Sequence, residues 1–196
     1  MEKIKTLFPR KFENHNIIEI SPTPPDELKC ILQGKGIATV KYDGSCCAVI
    51  NGIFYKRYDA KHGKKIPDNA IKCQEKPDNV TGHLPCWIPC DKNDNSNKWF
   101  WKAFDLYIAE HGSIPDGTYE CIGKHFRNNP YKLDNDILVP HGQNIIEVPR
   151  TFEEIRDYLK NHQIEGIVFW KDGKPLCKIK RSDFGFEWNR NTPKHS

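Results

Sequence analysis

The sequence has no apolar run approaching the roughly 18 residues that a membrane span requires. Met1 to Phe12 carries basic residues but no apolar stretch, so no signal peptide is expected. No internal repeat at solenoid periods is visible. A strong excess of one charge is also missing: 30 Lys and Arg stand against 26 Asp and Glu, a net charge of +4. By itself that excess does not mark a nucleic-acid binder, for which a domain pI above about 9 is the usual footprint. Cysteine is too dilute for a disulfide scaffold, which usually exceeds about 8–10% of a short chain. The eight cysteines are scattered (Cys30, Cys46, Cys47, Cys73, Cys86, Cys90, Cys121, Cys177), and several lie inside apolar runs. Reduced, buried thiols in an intracellular, reducing compartment, with the cytoplasm foremost, are therefore expected.

What is present describes a polar but foldable protein, with 37% hydrophobic, 29% charged and 11% aromatic residues. At 196 residues the chain can bury a core without disulfides or a structural metal. No stretch reads as an interdomain linker, so a single domain over 1–196 is expected. It has an N-terminal arm 1–35, punctuated by Pro22, Pro24 and Pro25, a core 36–190 and a short tail 191–196. Asp91 to Lys98 reads as a surface loop. A helix is expected from Trp99 to Glu110, and a second from Phe152 to Asn161. The second has Thr151 and Glu154 as a capping box and Phe152, Ile155 and Leu159 on one face.

Strand signals surround these helices. Ile37, Thr39 and Val40 suggest a strand that delivers Lys41. Cys46 to Ile50 and Ile53 to Tyr58 flank Asn51-Gly52, a strong hairpin signal. Cys46 and Cys47, being consecutive in a strand, should point to opposite faces and make poor partners for a shared metal. Thr118 to Ile122 follows an Asp116-Gly117 turn. Ile164 to Trp170 and Pro175 to Lys180 flank Asp172-Gly173. If that turn is a two-residue loop, Lys171 faces Lys174 and Glu165 faces Lys180. Glu165, Ile167, Phe169, Lys178 and Lys180 then share one face. Cross-strand neutralisation explains one ion pair there but not a second lysine, so an anionic ligand is expected.

Lys41-Tyr42-Asp43-Gly44 is a K-x-D-G tetrapeptide, weak alone but followed in order by Tyr119-Glu120, Glu165-Gly166-Ile167-Val168 and Lys178-Ile179-Lys180. The series resembles the motifs of the covalent nucleotidyltransferase superfamily of ligases and capping enzymes, with Arg57, Gly63 and Lys64 resembling the motif between the first two. KYDGSCC from Lys41, TYECIG from Thr118, and Pro140-His141-Gly142 resemble the eukaryotic-type 5′-3′ RNA ligase 1 family more closely. The resemblance implies an α+β fold, an antiparallel-sheet nucleotidyltransferase (adenylation) domain of the ATP-dependent ligase type without an OB domain. It implies joining of RNA 5′-phosphate and 3′-hydroxyl ends, as in RNA repair, by a monomer using ATP and Mg²⁺ or Mn²⁺.

Carried over by position, the family pattern makes Lys41 the adenylylated nucleophile, with Asp43 and Gly44 shaping its turn. Arg57 would contact a phosphate, and Glu120 the ribose or a metal. Glu165 would support metal binding, and Lys178 and Lys180 would hold the α-phosphate. The residue types suit the chemistry. A lysine attacks phosphorus only as the neutral amine, which nearby cations favour. Fixed ammonium groups and Mg²⁺ stabilise the charge that collects on phosphate oxygens, and carboxylates are the ligands Mg²⁺ prefers. Two alternatives are a capping-type guanylyltransferase, disfavoured because only a short tail follows Lys180, and a non-catalytic module that binds RNA ends.

Other features stay open. The base-stacking aromatic is Trp87, Trp101, Phe126 or His141. Lys124 to Lys132 is a contact to an RNA backbone or triphosphate, or a solvated loop. His83, Cys86 and Cys90, with Cys73, have loose zinc-ligand spacing, but buried thiols are the expectation.

Overall fold

Two-residue turns with left-handed backbone set much of the strand pairing. Asn51 (φ 51) and Gly52 (φ 74) close one hairpin; Asp172 (φ 52) and Gly173 (φ 72) close another. Positive φ at both central residues matches the right-handed twist of the strands they join. The computed structural model describes residues 1–188 apart from His15, His62 and Val80, so the expected tail 191–196 lies outside the described residues. Among the described residues the strands in chain order are β1 Lys5–Thr6, β2 Arg10–Glu13, β3 Asn16–Ile20, β4 Ile37–Lys41, β5 Ser45–Ile50, β6 Ile53–Ala60, β7 Ile71–Lys72, β8 Leu84–Pro89, β9 Gly117–Ile122, β10 Ile137–Pro140, β11 Ile145–Ile146, β12 Gly166–Lys171 and β13 Lys174–Lys180. The helices are α1 Lys29–Leu32, α2 Lys98–His111 and α3 Phe152–Asn161. No helix among the described residues is long and apolar enough to cross a membrane.

These elements form two compact units. One comprises residues 1–3 and 43–141, the other residues 4–42 and 142–188. The chain thus changes unit between Tyr42 and Asp43, inside the K-x-D-G tetrapeptide.

The unit containing Lys41 is built on a five-stranded sheet of order β1-β13-β12-β4-β11, antiparallel except for the parallel β1–β13 pair. β2 and β3 make a separate hairpin. Its core gathers Leu7, Phe8, Leu28 and Ile31 from the N-terminal arm, Ile155 and Leu159 from α3, and Ala38, Ile167, Phe169, Cys177 and Ile179 from the sheet. Burying each large side chain contributes about 1.5–3 kcal/mol, so the arm is part of the fold and not a peripheral extension. α3 starts where the capping box places it. Thr151 accepts from the Glu154 N–H at 3.3 Å, and its hydroxyl donates to the Glu154 carboxylate at 2.7 Å.

The unit containing Asp43 is built on a six-stranded antiparallel sheet of order β10-β9-β5-β6-β8-β7. Strand alternation divides its faces. Cys47, Val49, Phe54, Tyr119 and Cys121 pack with Ala103 and the aromatic residues of α2. Ala48, Tyr55 and Trp87 form a second cluster with Cys46 at its margin. Cys46 and Cys47 fall in different clusters, as their consecutive positions require.

The register of the last hairpin corrects one expectation. Lys171 does face Lys174, but Lys180 faces Gly166 and not Glu165, and Lys178 faces Val168. The register shifts between Phe169 and Trp170, where Leu176 is the extra residue on β13. A one-residue slip turns every later side chain to the other face. Ile167 and Phe169 therefore enter the core, while Lys178 and Lys180 occupy the opposite face.

Candidate active site

In the Lys41 unit, three strands bring the basic residues into rows. Lys41 on β4 faces Gly166 on β12, which in turn faces Lys180 on β13. One row further, Thr39, Val168 and Lys178 align in the same way. Opposed residues in adjacent strands share a face, so Lys41, Lys178 and Lys180 emerge on one side of the sheet. Gly166 keeps the middle of the first row bare: a Cβ there would lie 2.3 Å from the Ile179 carbonyl oxygen. Glu165 immediately precedes β12, and its carboxylate accepts a hydrogen bond from the Lys41 ammonium as an ion pair. The Glu165 side chain is 7% exposed and that of Lys41 23%. Such a pair is held firmly, because separating it would leave a buried charge uncompensated. The Lys180 N–H donates to the Asp183 carboxylate at 2.9 Å, and Asp183 is paired with Arg10 at 2.7 Å. These bonds fix the end of β13.

Trp170 lies on the same face as Lys41, four residues after Gly166 on β12, with its indole N–H donating to Thr39 Oγ1 at 2.9 Å. It is absent from the aromatic candidates drawn from the sequence, although alternation from Gly166 through Val168 would have found it. Those candidates are committed elsewhere: Trp87 and Phe126 are buried, Trp101 donates to the Cys90 carbonyl, and His141 binds Glu120.

In the Asp43 unit, the turn after Tyr42 is tied down from several sides. The Gly44 N–H donates to Glu120 Oε1 at 2.9 Å, and the Asp43 N–H donates to the Tyr131 hydroxyl oxygen at 2.6 Å. Arg127 donates through Nε to the Gly44 carbonyl at 3.0 Å and lies 4.0 Å from Asp43 Oδ1. Segment 124–132 thus buttresses this turn, a role that separates it from an ordinary solvated loop. Arg127, Asn128, Asn129 and Lys132 all adopt left-handed φ between 48° and 59°. Such strain persists only where surrounding contacts impose it. The His125 ring, stacked on Trp99 at 3.3 Å and bonded to Asp136 at 2.7 Å, anchors the start of the segment.

Glu120 on β9 directly faces Cys46 on β5. Its second oxygen, Oε2, lies 3.0 Å from His141 Nε2, and His141 Nδ1 lies 3.0 Å from Thr118 Oγ1. Burial, with the Glu120 carboxylate second, pushes the Cys46 thiol well up. Arg57 on β6 is engaged within the same unit, donating to Asp59 at 2.9 Å and to the Met1 carbonyl at 2.6 Å, with its guanidinium over Trp87. Cys86 and Cys90 are buried in separate clusters, in keeping with buried thiols. Among the described residues, the one group of His, Cys, Asp and Glu close enough to share a metal ion is Cys46, Glu120 and His141.

These surroundings separate the two carboxylates expected to hold Mg²⁺. Glu165 offers the oxygen donors that suit that ion. Glu120 sits with a thiol and an imidazole, donors that Mg²⁺ does not favour.

No family model matches the chain. The chain is similar to proteins named RNA ligase 1. It is 30% identical to one from Danio rerio over 162 residues, covering 67% of this chain and 46% of that protein. It is 26% identical to one from Rattus norvegicus over 164 residues, covering 68% and 47%, and 25% identical to one from Mus musculus over 167 residues, covering 68% and 46%. The chain therefore spans about half the length of the curated relatives it matches.

Proposed function

We propose that this chain is an ATP-dependent RNA ligase that joins 5′-phosphate and 3′-hydroxyl ends through a lysyl-AMP intermediate. The observation that carries the reading is the Lys41–Glu165 ion pair on a sheet face that also bears Lys178 and Lys180. Similarity to proteins named RNA ligase 1 supports RNA as the substrate. Sheets that are antiparallel apart from the β1–β13 pair, with packed helices, support an α+β reading of the fold. All eight cysteines are free, which supports a reducing setting.

The chemistry follows from the lysine and its partner. Attack requires the ammonium proton to leave, and the Glu165 carboxylate bonded to Nζ accepts it. The neutral amine bonds to the α-phosphorus of ATP while the bond to pyrophosphate breaks, and pyrophosphate departs with the electron pair. Lys178 and Lys180 hold the α-phosphate oxygens as charge collects on them. Mg²⁺, held through water by the Glu165 oxygen that does not take the proton, would supply further positive charge at those oxygens. An oxygen of the RNA 5′-phosphate next attacks the AMP phosphorus, breaking the P–N bond and freeing Lys41. The 3′-hydroxyl then attacks the RNA 5′-phosphorus, AMP leaves, and the backbone is closed. Asp43 and Gly44, two and three residues beyond Lys41, shape the turn that follows it. Arg57 already spends Nε on Asp59 and Nη1 on the Met1 carbonyl, so a phosphate would be met through its remaining N–H groups.

The test is incubation with α-labelled ATP and Mg²⁺. Wild type should form an acid-stable, hydroxylamine-labile protein–AMP adduct, and Lys41→Ala should form none. No adduct in wild type, or one that survives the substitution, sinks the reading. An adduct formed preferentially from labelled GTP would replace it with a capping-type guanylyltransferase. Matched RNA and DNA ends, offered to the adenylylated protein, then measure the sugar preference.

A further inference from the structure

Cys46 and Glu120 lie on adjacent strands of one sheet, and His141 lies at the end of the next strand. Cys46 and Glu120 are register partners on β5 and β9, and His141 directly follows β10, with its N–H donating to the Thr118 carbonyl at 3.0 Å. A sulfur, a carboxylate oxygen and an imidazole nitrogen are thereby held within 4.8 Å of one another. None of the three positions is a surface accident: all are buried or half-buried.

The donor set selects the ion. Mg²⁺ and Ca²⁺ take oxygen ligands and do not recruit thiolate. Zn²⁺ takes sulfur, nitrogen and oxygen together at about 2.0–2.3 Å in a tetrahedron, which puts neighbouring ligand atoms about 3.3–3.8 Å apart. The Glu120–His141 separation of 3.0 Å is already of that order, and the sulfur lies within 4.8 Å of both partner atoms. The outer contacts a zinc site requires are also in place. The Gly44 N–H orients Glu120 through Oε1, leaving Oε2 for the ion. Thr118 Oγ1 at 3.0 Å from His141 Nδ1 can accept an N–H there once Nε2 is given to the ion.

We propose that Cys46, Glu120 and His141 form a Zn²⁺ site with one coordination position open to water or a substrate oxygen. On binding, the Cys46 thiol loses its proton to solvent, sulfur bonds to the ion, and Glu120 and His141 exchange their mutual hydrogen bond for metal bonds. Because Glu120 also holds the Gly44 N–H, the ion ties the Asp43-Gly44 turn to the sheet. The site stands independently of the ligase reading: it rests on donor geometry and is tested by coordination.

The test uses the full chain, stripped of metal with a chelator and titrated with Co²⁺ as the spectroscopic probe. One Co²⁺ per chain should bind, with tetrahedral ligand-field bands and a thiolate-to-cobalt charge-transfer band, and Zn²⁺ should displace it. Cys46→Ser should lose the charge-transfer band, while Cys47→Ser and Cys86→Ser keep it. His141→Ala should weaken binding by more than about tenfold. A band that survives Cys46→Ser, or is lost in Cys86→Ser, overturns the proposal, as does failure to bind Co²⁺. X-ray absorption of the zinc-loaded wild type gives a second reading that no misfolded variant can confuse. One sulfur with nitrogen and oxygen scatterers is expected, and no sulfur or several would overturn the assignment.

Discussion

A methyl group at Gly44 would lie 2.3 Å from the Cys121 carbonyl oxygen and 2.6 Å from Ile122 Cγ2. The first of these is backbone within β9, which cannot yield without disturbing its pairs with β5 and β10. The glycine after Asp43 is thus demanded by the close passage of the turn over β9, and its N–H is free to reach Glu120 only because the backbone lies so near. Gly44→Ala should destabilise the protein by about 1–3 kcal/mol, the usual range for overpacking, and should reduce adduct formation as the turn shifts. Gly117→Ala is the control, because a Cβ there meets nothing closer than 3.8 Å. Thermal unfolding of the two variants, with adenylylation measured in parallel, decides the matter. Equal stability of the two would show that the Gly44 clash relaxes at no cost. At this scale the sequence was informative about Lys41, Glu165, Lys178 and Lys180, because a short motif names residues directly. It marked the segment Lys124 to Lys132 but not the part played by Tyr131 and Arg127, which depends on a loop folding back over more than eighty positions of chain onto Asp43 and Gly44.

At the scale of elements, α3 shows a local signal and a tertiary one agreeing. Thr151 caps the helix, Glu153 and Glu154 sit in its first turn, and Ile155 and Leu159 are buried against the sheet. Thr151→Ala removes the oxygen that satisfies the Glu154 N–H and should cost about 1 kcal/mol, whereas Thr151→Ser should be close to neutral. Urea unfolding of both variants measures this, and an alanine variant as stable as the serine one would mean that packing alone fixes the helix start. The same agreement made the Asn51-Gly52 and Asp172-Gly173 hairpins legible, since their turn residues accept positive φ. The slip in the second hairpin was harder to read, because a bulge has no fixed composition. One mark was nonetheless present. Pro175 lies in β13, which is flanked by β1 and β12, and proline cannot donate to a ladder, so within a sheet it sits at edges or bulges. Reading Pro175 that way places Lys180 opposite Gly166 and explains why the lysines and the core residues of the hairpin separate.

At the scale of the whole chain, buried thiols are distributed across both units, and this gives alkaline stability a definite sign. Burial pushes the Cys90 thiol up to about 12 in the Asp43 unit and the Cys177 thiol up to about 12 in the Lys41 unit. Cys47 and Cys121 are raised too, again chiefly by burial. In the unfolded chain a cysteine ionises near about 8.5. A group whose folded value lies above its unfolded value favours the fold fully below the unfolded value. That contribution is lost as pH climbs toward the folded one. Stability should therefore be level to about pH 8.5 and then fall, each such thiol adding about 1.4 kcal/mol per pH unit to the slope until about pH 12. Tyrosines and lysines also titrate in this range, so the slope of wild type alone does not identify its source. Cys90→Ala and Cys177→Ala do. Each introduces only a small cavity and removes one titrating group, so each variant should lose stability at neutral pH yet show a shallower alkaline decline than wild type. Because the two thiols lie in different units, the double variant should flatten the decline further, by about the sum of the two effects. Urea unfolding across the alkaline range, with thiol alkylation followed alongside, tests this. Alkylation of Cys90 and Cys177 should await unfolding, and a slope untouched by either substitution would mean that the buried thiols do not control the alkaline limit.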